Sequence, residues 1–362
     1  MIRQKRVRFS VFVLSAVAIW LMVYSLFMTE RTMETVRVSL GVFVRSVLPP
    51  LAVFSVCTKL LVKTNILRRI NSERFHPFLN ILGLSPGGLI AFLVGSFAGF
   101  PTGASMLAEL CENGEIPKRE AESLLPFCNQ AGVAFLFGTV GNSMLHDADA
   151  GFIFFFAQTV TAWTCVCMTS GKRRGYEQNT KRKSPPETSL FSVFTSSVRE
   201  SAFSMIGVCG FIVFFSLLGT ALFDTLFSIG FVIGDRFRVL IGGILEISAG
   251  FGWLSECTAS WEIQMIFGGI LLGWGGISVF MQVMERTEAV FFSPKEYLGG
   301  KLMSVLICPI FTVIFALLNE RNDGKKLIIA VSLFLFCIFY LLNYVKLKFF
   351  SKKCGKIERN AV

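Results

Sequence analysis

The sequence predicts an all-α fold: a polytopic bundle of transmembrane helices, some broken or re-entrant, built as two related halves in an inverted repeat. Three observations predict it. Of 362 residues, 53% are hydrophobic and 16% charged, against about 45–50% and about 25% in a soluble domain. Several apolar runs reach the roughly 18 or more residues that a bilayer core requires. Others carry Gly, Pro or an acid in their middle, where a bilayer most demands a helix.

The clearest runs are 9–28, 151–170, 202–223, 264–284 and 327–345; the interrupted ones are 40–62, 84–110, 239–255 and 302–318. The opening MIRQKRVRFS imitates a signal peptide. The apolar run after it is long for a signal core and has no small-x-small site at its end, just before Thr29, so an uncleaved first span is expected. Five segments follow from these runs: a first span and its connection over 1–36, one membrane half over 37–171, a basic cytoplasmic linker over 172–189, a second half over 190–318, and a last span with a basic tail over 319–362.

The net charge of +11 is concentrated in short loops and tails. Four cations lie in residues 1–8; Lys59, Lys63, Arg68, Arg69 and Arg74 follow the second run; six more sit in KRRGYEQNTKRK (172–183); Lys346, Lys348, Lys352, Lys353 and Lys356 occupy the tail. Such placement orients a membrane protein with its positive loops inside and suits anionic headgroups. The lipid bilayer is therefore the expected partner, and no nucleic acid is. With all four clusters cytoplasmic, an even number of crossings must separate them. Three apolar segments lie between 76 and 172, and the middle one, LLPFCNQAGVAFLFGTVG (124–141), is expected to be re-entrant. Five lie between the linker and the tail, so one of those should also fail to cross.

The inventory argues against catalysis. The ten cysteines lie mostly in apolar runs without C-x-x-C pairing, and His76 and His146 are isolated. No metal-ligand spacing, nucleophile elbow or phosphate loop occurs. No enzyme, metal or cofactor is expected.

The interruptions carry the functional reading. In GSFAGFPTGASM (95–106), Gly95, Gly99 and Gly103 recur at spacing four around Pro101. One reading is a kinked helix with small residues for close packing. The other is a substrate or ion site, because a broken helix presents amides and carbonyls at mid-membrane. Glu246, the only ionisable residue in VLIGGILEISAGFGWL (239–254), supports the second reading, since a buried carboxylate usually faces a cavity or partner. An interfacial Glu246 is the alternative, with Arg236 and Arg238 close before it. Ser248, Asn129, Gln130, Ser105, Glu109, Ser278 and Gln282 join Glu246 as candidate substrate- or ion-binding residues; Gly99, Pro101, Gly103, Gly275 and Gly276 mark the breaks. GGLIAFLVGSFAGFPTGASMLAEL (87–110) pairs weakly with GGILLGWGGISVFMQVM (268–284), and each precedes a Pro-Lys step, in IPKREAESLL and SPKEYLGGKLM. A duplication and chance in Gly-rich sequence both account for this.

These motifs, with EAESLLPFCNQAG, FGTVG, LEISAG and GGISVFMQV, resemble sporulation integral membrane proteins of the YlbJ type. That type belongs to the nucleoside-recognition (Gate) group, with spore maturation proteins and parts of concentrative nucleoside transporters. The resemblance covers about residues 40–310 and departs at AGVAFLF, where Val133 stands in place of a proline. It implies a multi-pass protein of the cell membrane of an endospore former, acting in spore envelope or cortex assembly. Two functions fit: a permease for a small polar solute or ion, and a non-transporting scaffold recruiting sporulation factors. Other sporulation membrane proteins or a second copy of the chain are the protein partners expected. Short polar loops favour the permease.

Overall fold

A computed structural model describes residues 2–64, 76–173, 189–290, 292–320 and 323–359. Arg68, Arg69, Arg74 and most of the 172–183 run lie outside the described residues, as do the tail lysine side chains. Every regular element among the described residues is a helix. In order these are α1 (Ile2–Phe27), α2 (Thr29–Val42) running through a π-helical turn into α3 (Leu48–Lys63), α4 (His76–Leu82), α5 (Pro86–Ala98), α6 (Thr102–Glu112) and α7 (Lys118–Leu124). A π-helical segment, Phe135–Met144, leads to α8 (Ala148–Met168), α9 (Ser170–Arg173) and α10 (Leu190–Ser228). The chain closes with α11 (Asp235–Leu245), α12 (Ile247–Glu256), α13 (Trp261–Trp274), α14 (Ile277–Arg286), α15 (Pro294–Asn319) and α16 (Gly324–Arg359). Among the described residues, six stretches are long and apolar enough to cross a membrane: Thr29–Lys63, Ala148–Met168, Leu190–Ser228, Trp261–Arg286, Pro294–Asn319 and Gly324–Val345.

Residues 86–112 are a hairpin. Ser85 caps α5, its hydroxyl accepting the Gly88 N–H at 3.0 Å, with Pro86 at the first helical position. The chain turns at Gly99, whose φ of 85° suits glycine, and α6 runs back along α5. Gly87 at the foot of α5 faces Leu110 of α6, and a Cβ on Gly103 would lie 2.9 Å from the Gly95 Cα. Residues 235–256 fold the same way about Glu246. A Cβ on Gly250 would lie 2.6 Å from the Gly243 Cα, and the Arg238 guanidinium stacks 5.3 Å over the Trp253 ring.

Each hairpin is followed by a helix that breaks and continues. Residues 125–132 interrupt the path from α7 into the π-helical segment, and Gly275–Gly276 interrupt α13–α14. Two sequence expectations are thereby corrected. The stretch that folds back on itself is 86–112, not 124–141, which belongs to a broken helix running on through the bundle. The stretch that folds like 87–110 is 235–256, not 268–284, because α13 and α14 do not fold back on each other.

The side-chain bonds place the helix ends on two faces. At one face Lys59 bonds Glu109 (2.6 Å), Arg173 donates to the Leu82 carbonyl (3.0 Å), Lys172 bonds Glu296 (2.9 Å), and Ser170 meets Asn343 (2.8 Å). At the other, Tyr24 donates to Asp224 (2.6 Å), Trp261 to Asp147 (3.2 Å) and Asn319 to Asp149 (3.0 Å). The foot of the first hairpin lies at the former face and that of the second at the latter. The hairpins enter from opposite sides.

Between them the first hairpin is clamped on the first break. A Cβ on Gly95 would lie 1.8 Å from the Cys128 carbonyl oxygen, and one on Gly103 1.9 Å from it. Because the obstacle is backbone, overpacking here should cost about 1–3 kcal/mol. Gly95→Ala and Gly103→Ala should each lower the unfolding temperature of the detergent-solubilised protein. Gly252→Ala, with nothing within 4 Å of the new Cβ, should leave it unchanged. Equal behaviour of all three would contradict the clamp.

Candidate functional site

The two hairpin tips meet at a cavity. Ala98, Gly99 and Phe100 from the first and Glu246, Ile247 and Ser248 from the second line a volume of about 30 Å³, room for one or two waters. Gly132 of the first break also lines it. Each tip rests on a break: a Cβ on Gly99 would lie 2.6 Å from the Gly132 nitrogen, and one on Gly276 3.2 Å from the Ile247 nitrogen.

A break within apolar surroundings exposes backbone groups that must find partners. At the first break the Phe100 N–H of the hairpin tip donates to the Gln130 carbonyl (2.9 Å). Gln158 of α8 serves Ala131 twice, donating to its carbonyl (2.7 Å) and accepting its N–H (3.2 Å). Lys301 of α15 donates to the Asn129 carbonyl (2.9 Å). The Asn129 amide donates to the Tyr297 hydroxyl (3.2 Å); that of Gln130 donates to Ser96 of the first hairpin and to the Phe127 carbonyl, both at 2.9 Å.

At the second tip Glu246 caps α12. Its carboxylate accepts the Ala249 N–H at 2.8 Å and a bond from the Ser248 hydroxyl. It is only 2% exposed, and Arg238 lies further down the hairpin over Trp253. The interfacial alternative for Glu246 is therefore corrected: the carboxylate sits at the buried tip, and the nearby arginine stacks on an aromatic ring. The Trp274 indole N–H donates to the Ile244 carbonyl (3.1 Å), tying the second break to the same tip.

The predicted residues thus separate into groups. Glu246 and Ser248 share the tip cavity. Asn129 and Gln130 line the first break, on which the first tip rests. Ser278 and Gln282 bond each other in α14 (3.2 Å), both buried. Glu109 lies at the foot of the first hairpin instead, in a charged cluster with Lys59, Glu200 and Lys63. Ser105 is partly exposed on the same helix. Both fall away from the tip because α6 runs back toward the surface, so they leave the candidate site. Gly99, Pro101 and Gly103 form the first tip, and Gly275 and Gly276 the second break.

Sequence reasoning missed Gln158, Tyr297, Lys301 and Ser96. Lys301 is 3% exposed, a lone cation in an apolar stretch of helix, and that isolation was the one signal available. The oxygens Oδ1 of Asn129, Oε1 of Gln130 and Oε1 of Gln282 are buried without a hydrogen-bond donor, so polar capacity is left at the first break and in α14.

If Gln158 holds the first break, Gln158→Leu leaves an N–H and a carbonyl of Ala131 unpaired, at about 1–3 kcal/mol for each buried group. The thermal midpoint should fall clearly. A Leu variant as stable as the parent would remove Gln158 from this role.

No protein-family model matches the chain, and no solved structure matches it. The chain is similar to the sporulation integral membrane protein YlbJ of Bacillus subtilis (strain 168), 24% identical over 79% of this chain and 78% of that protein. With its six apolar spans and the motifs around both hairpins, this similarity supports assignment of the chain as a multi-pass membrane protein of the YlbJ type.

Proposed function

We propose that the chain acts in endospore formation as a permease for a small polar solute or ion, with its site at the meeting of the two hairpin tips. The single observation that carries this reading is the geometry of the tips. Two half-length hairpins enter from opposite faces, and each seats its tip on a broken helix at one shared, buried, carboxylate-bearing cavity. Paired broken elements around a midplane site are the architecture from which alternating access is built. The name of the similar protein supplies the sporulation context.

The reading includes two related halves, 37–171 and 190–318, each contributing a straight span, a hairpin, a broken helix and a second straight span. The opposed entry of the hairpins supports an inverted relation between them. Positive loops set the orientation: the 172–183 linker and the tail after Lys346 are cytoplasmic, and so is the N-terminus. A cavity of about 30 Å³ is too small for a nucleoside, so a solute of that size would require one hairpin to withdraw.

Glu246 is the residue on which the reading turns. Glu246→Gln keeps an oxygen to accept the Ala249 N–H, so the cap and the fold should survive, but it cannot ionise. A strain carrying it should make normal amounts of membrane-inserted protein and fail to form spores as a null strain does; Glu246→Asp should fall between. Normal sporulation of the Glu246→Gln strain at normal protein level would reduce the carboxylate to a helix cap and favour the scaffold reading. Separately, reporter fusions at Lys181 and Lys353 should report the same side of the membrane; opposite sides would overturn the orientation.

A further inference from the structure

Lys301 belongs to neither hairpin nor the tip cavity, yet it is the most isolated charge inside the bundle. Among the described residues no carboxylate pairs with it, whereas Lys59 meets Glu109 and Glu200 and Lys63 meets Glu200. Arg173, the other deeply buried cation, reaches the Leu82 and Val166 carbonyls and the hydroxyls of Ser123 and Thr169. Lys301 has one hydrogen bond, to the Asn129 carbonyl, and the face of the Tyr297 ring 5.8 Å away.

The groups packed around it are neutral. From α15 itself come Tyr297, Ser304 and Cys308; from α8, Cys165, Gln158 and Thr161; from the first break, Asn129 and Gln130; from α13, Leu272 and Gly273. The lysines of α16 lie at its far end, where Lys325 meets Asp149 and Lys326 meets Asp323. On α7, Glu120 is taken by Ser85 and Glu122 by Lys118. Beside the ammonium lies a second cavity of about 20 Å³, large enough for one water. It is also lined by Gln130, 6% exposed, whose Oε1 has no donor.

What Lys301 holds is the strip that holds hairpin 1 (α5–α6). Cys128 sits between Gly95 and Gly103, Gln130 bonds Ser96 and accepts the Phe100 N–H, and Asn129, bound by Lys301, lies between those two residues. A charged donor grips a carbonyl harder than a neutral one.

We propose that Lys301 is a proton-binding site coupled to the seating of hairpin 1. With the proton on, the ammonium binds the Asn129 carbonyl and residues 128–130 hold the hairpin. With it off, one Nζ–H bond breaks, the proton passes to water in the adjoining cavity and the neutral amine keeps the electron pair; its remaining N–H groups can still donate to the carbonyl, but without the charge the hold weakens and the strip is loosened. The coupling ion of the transport reading would then be the proton; that assignment rests on the reading above, while the site and its coupling to hairpin 1 do not.

Hydrogen exchange of the full chain in lipid nanodiscs, followed from about pH 6 to about pH 11 across the ordinary lysine range, tests it. Exchange of peptides covering 95–106 and 126–134 is expressed relative to α10 in the same molecule, which cancels the intrinsic pH dependence. Both ratios should rise several-fold with pH in the parent. Lys301→Arg, permanently charged, should keep them low throughout; Lys301→Met should keep them high throughout. Ratios independent of pH in the parent would overturn the proposal even if neither variant folds, as would parent-like protection in Lys301→Met. Because this readout does not involve Glu246 or sporulation, its failure and that of the permease reading are separately visible.

Discussion

An unpaired amide or carbonyl has no solvent to turn to inside a bilayer, and each one left so costs several kcal/mol. This constraint organises the whole molecule. Four interruptions of helix are buried together, and the polar side chains of the interior are placed to serve them: Gln158 spans both backbone groups of Ala131, Lys301 takes the Asn129 carbonyl, and Glu246 takes the Ala249 N–H. Even the hairpin tip is used as a reagent, since Phe100 gives its N–H to Gln130. The candidate site is thus not an addition to the fold. It lies where backbone satisfaction has already gathered amides and a carboxylate.

The membrane class, most of the spans and the positions of the breaks were legible in the sequence, because hydropathy and Gly/Pro placement are local signals; the expected first span over 9–28 is not among the six, its described apolar part being the shorter Val11–Phe27. Whether a break turns the chain back or lets it continue was not. GSFAGFPTGASM and GGILLGWGGISVF look alike as strings, but only the first has glycines at both 95 and 103 to admit the Cys128 carbonyl from a third segment. That contact is long-range, so local comparison paired the wrong stretches. Glu246 was found because it is the only acid in its run. Gln158 and Lys301 were passed over for the opposite reason: a single polar residue in an apolar helix does not announce which distant carbonyl it serves. Glu109 was misplaced by the same turn, since assuming a continuous span put it near the interior.

Close approach and polar service work together. Glycine at 95 and 103 lets three backbones meet at Cys128, and that proximity brings Gln130 within reach of Ser96. The second hairpin uses a different solution. Gly243 and Gly250 bring its own two arms together, and its tip is held by its own carboxylate cap and by Trp274. One hairpin is clasped by the backbone of a neighbouring strip, the other by its own cap and by side chains of α13.

The shortness of the first hairpin bears on how the protein is made. Its arms have 13 and 11 residues, about 20 Å of helix or less, against about 30 Å of hydrocarbon. Neither arm can lodge in the bilayer as an independent insertion unit. The groups that receive the tip are encoded later: Cys128 and Gln130 must leave the ribosome, then Gln158, and Lys301 only near the end of translation. The first hairpin is therefore finished after much of the chain that follows it. Biogenesis must keep an apolar, half-length pair of helices waiting at the membrane surface or beside the insertion machinery until its receptor has been synthesised.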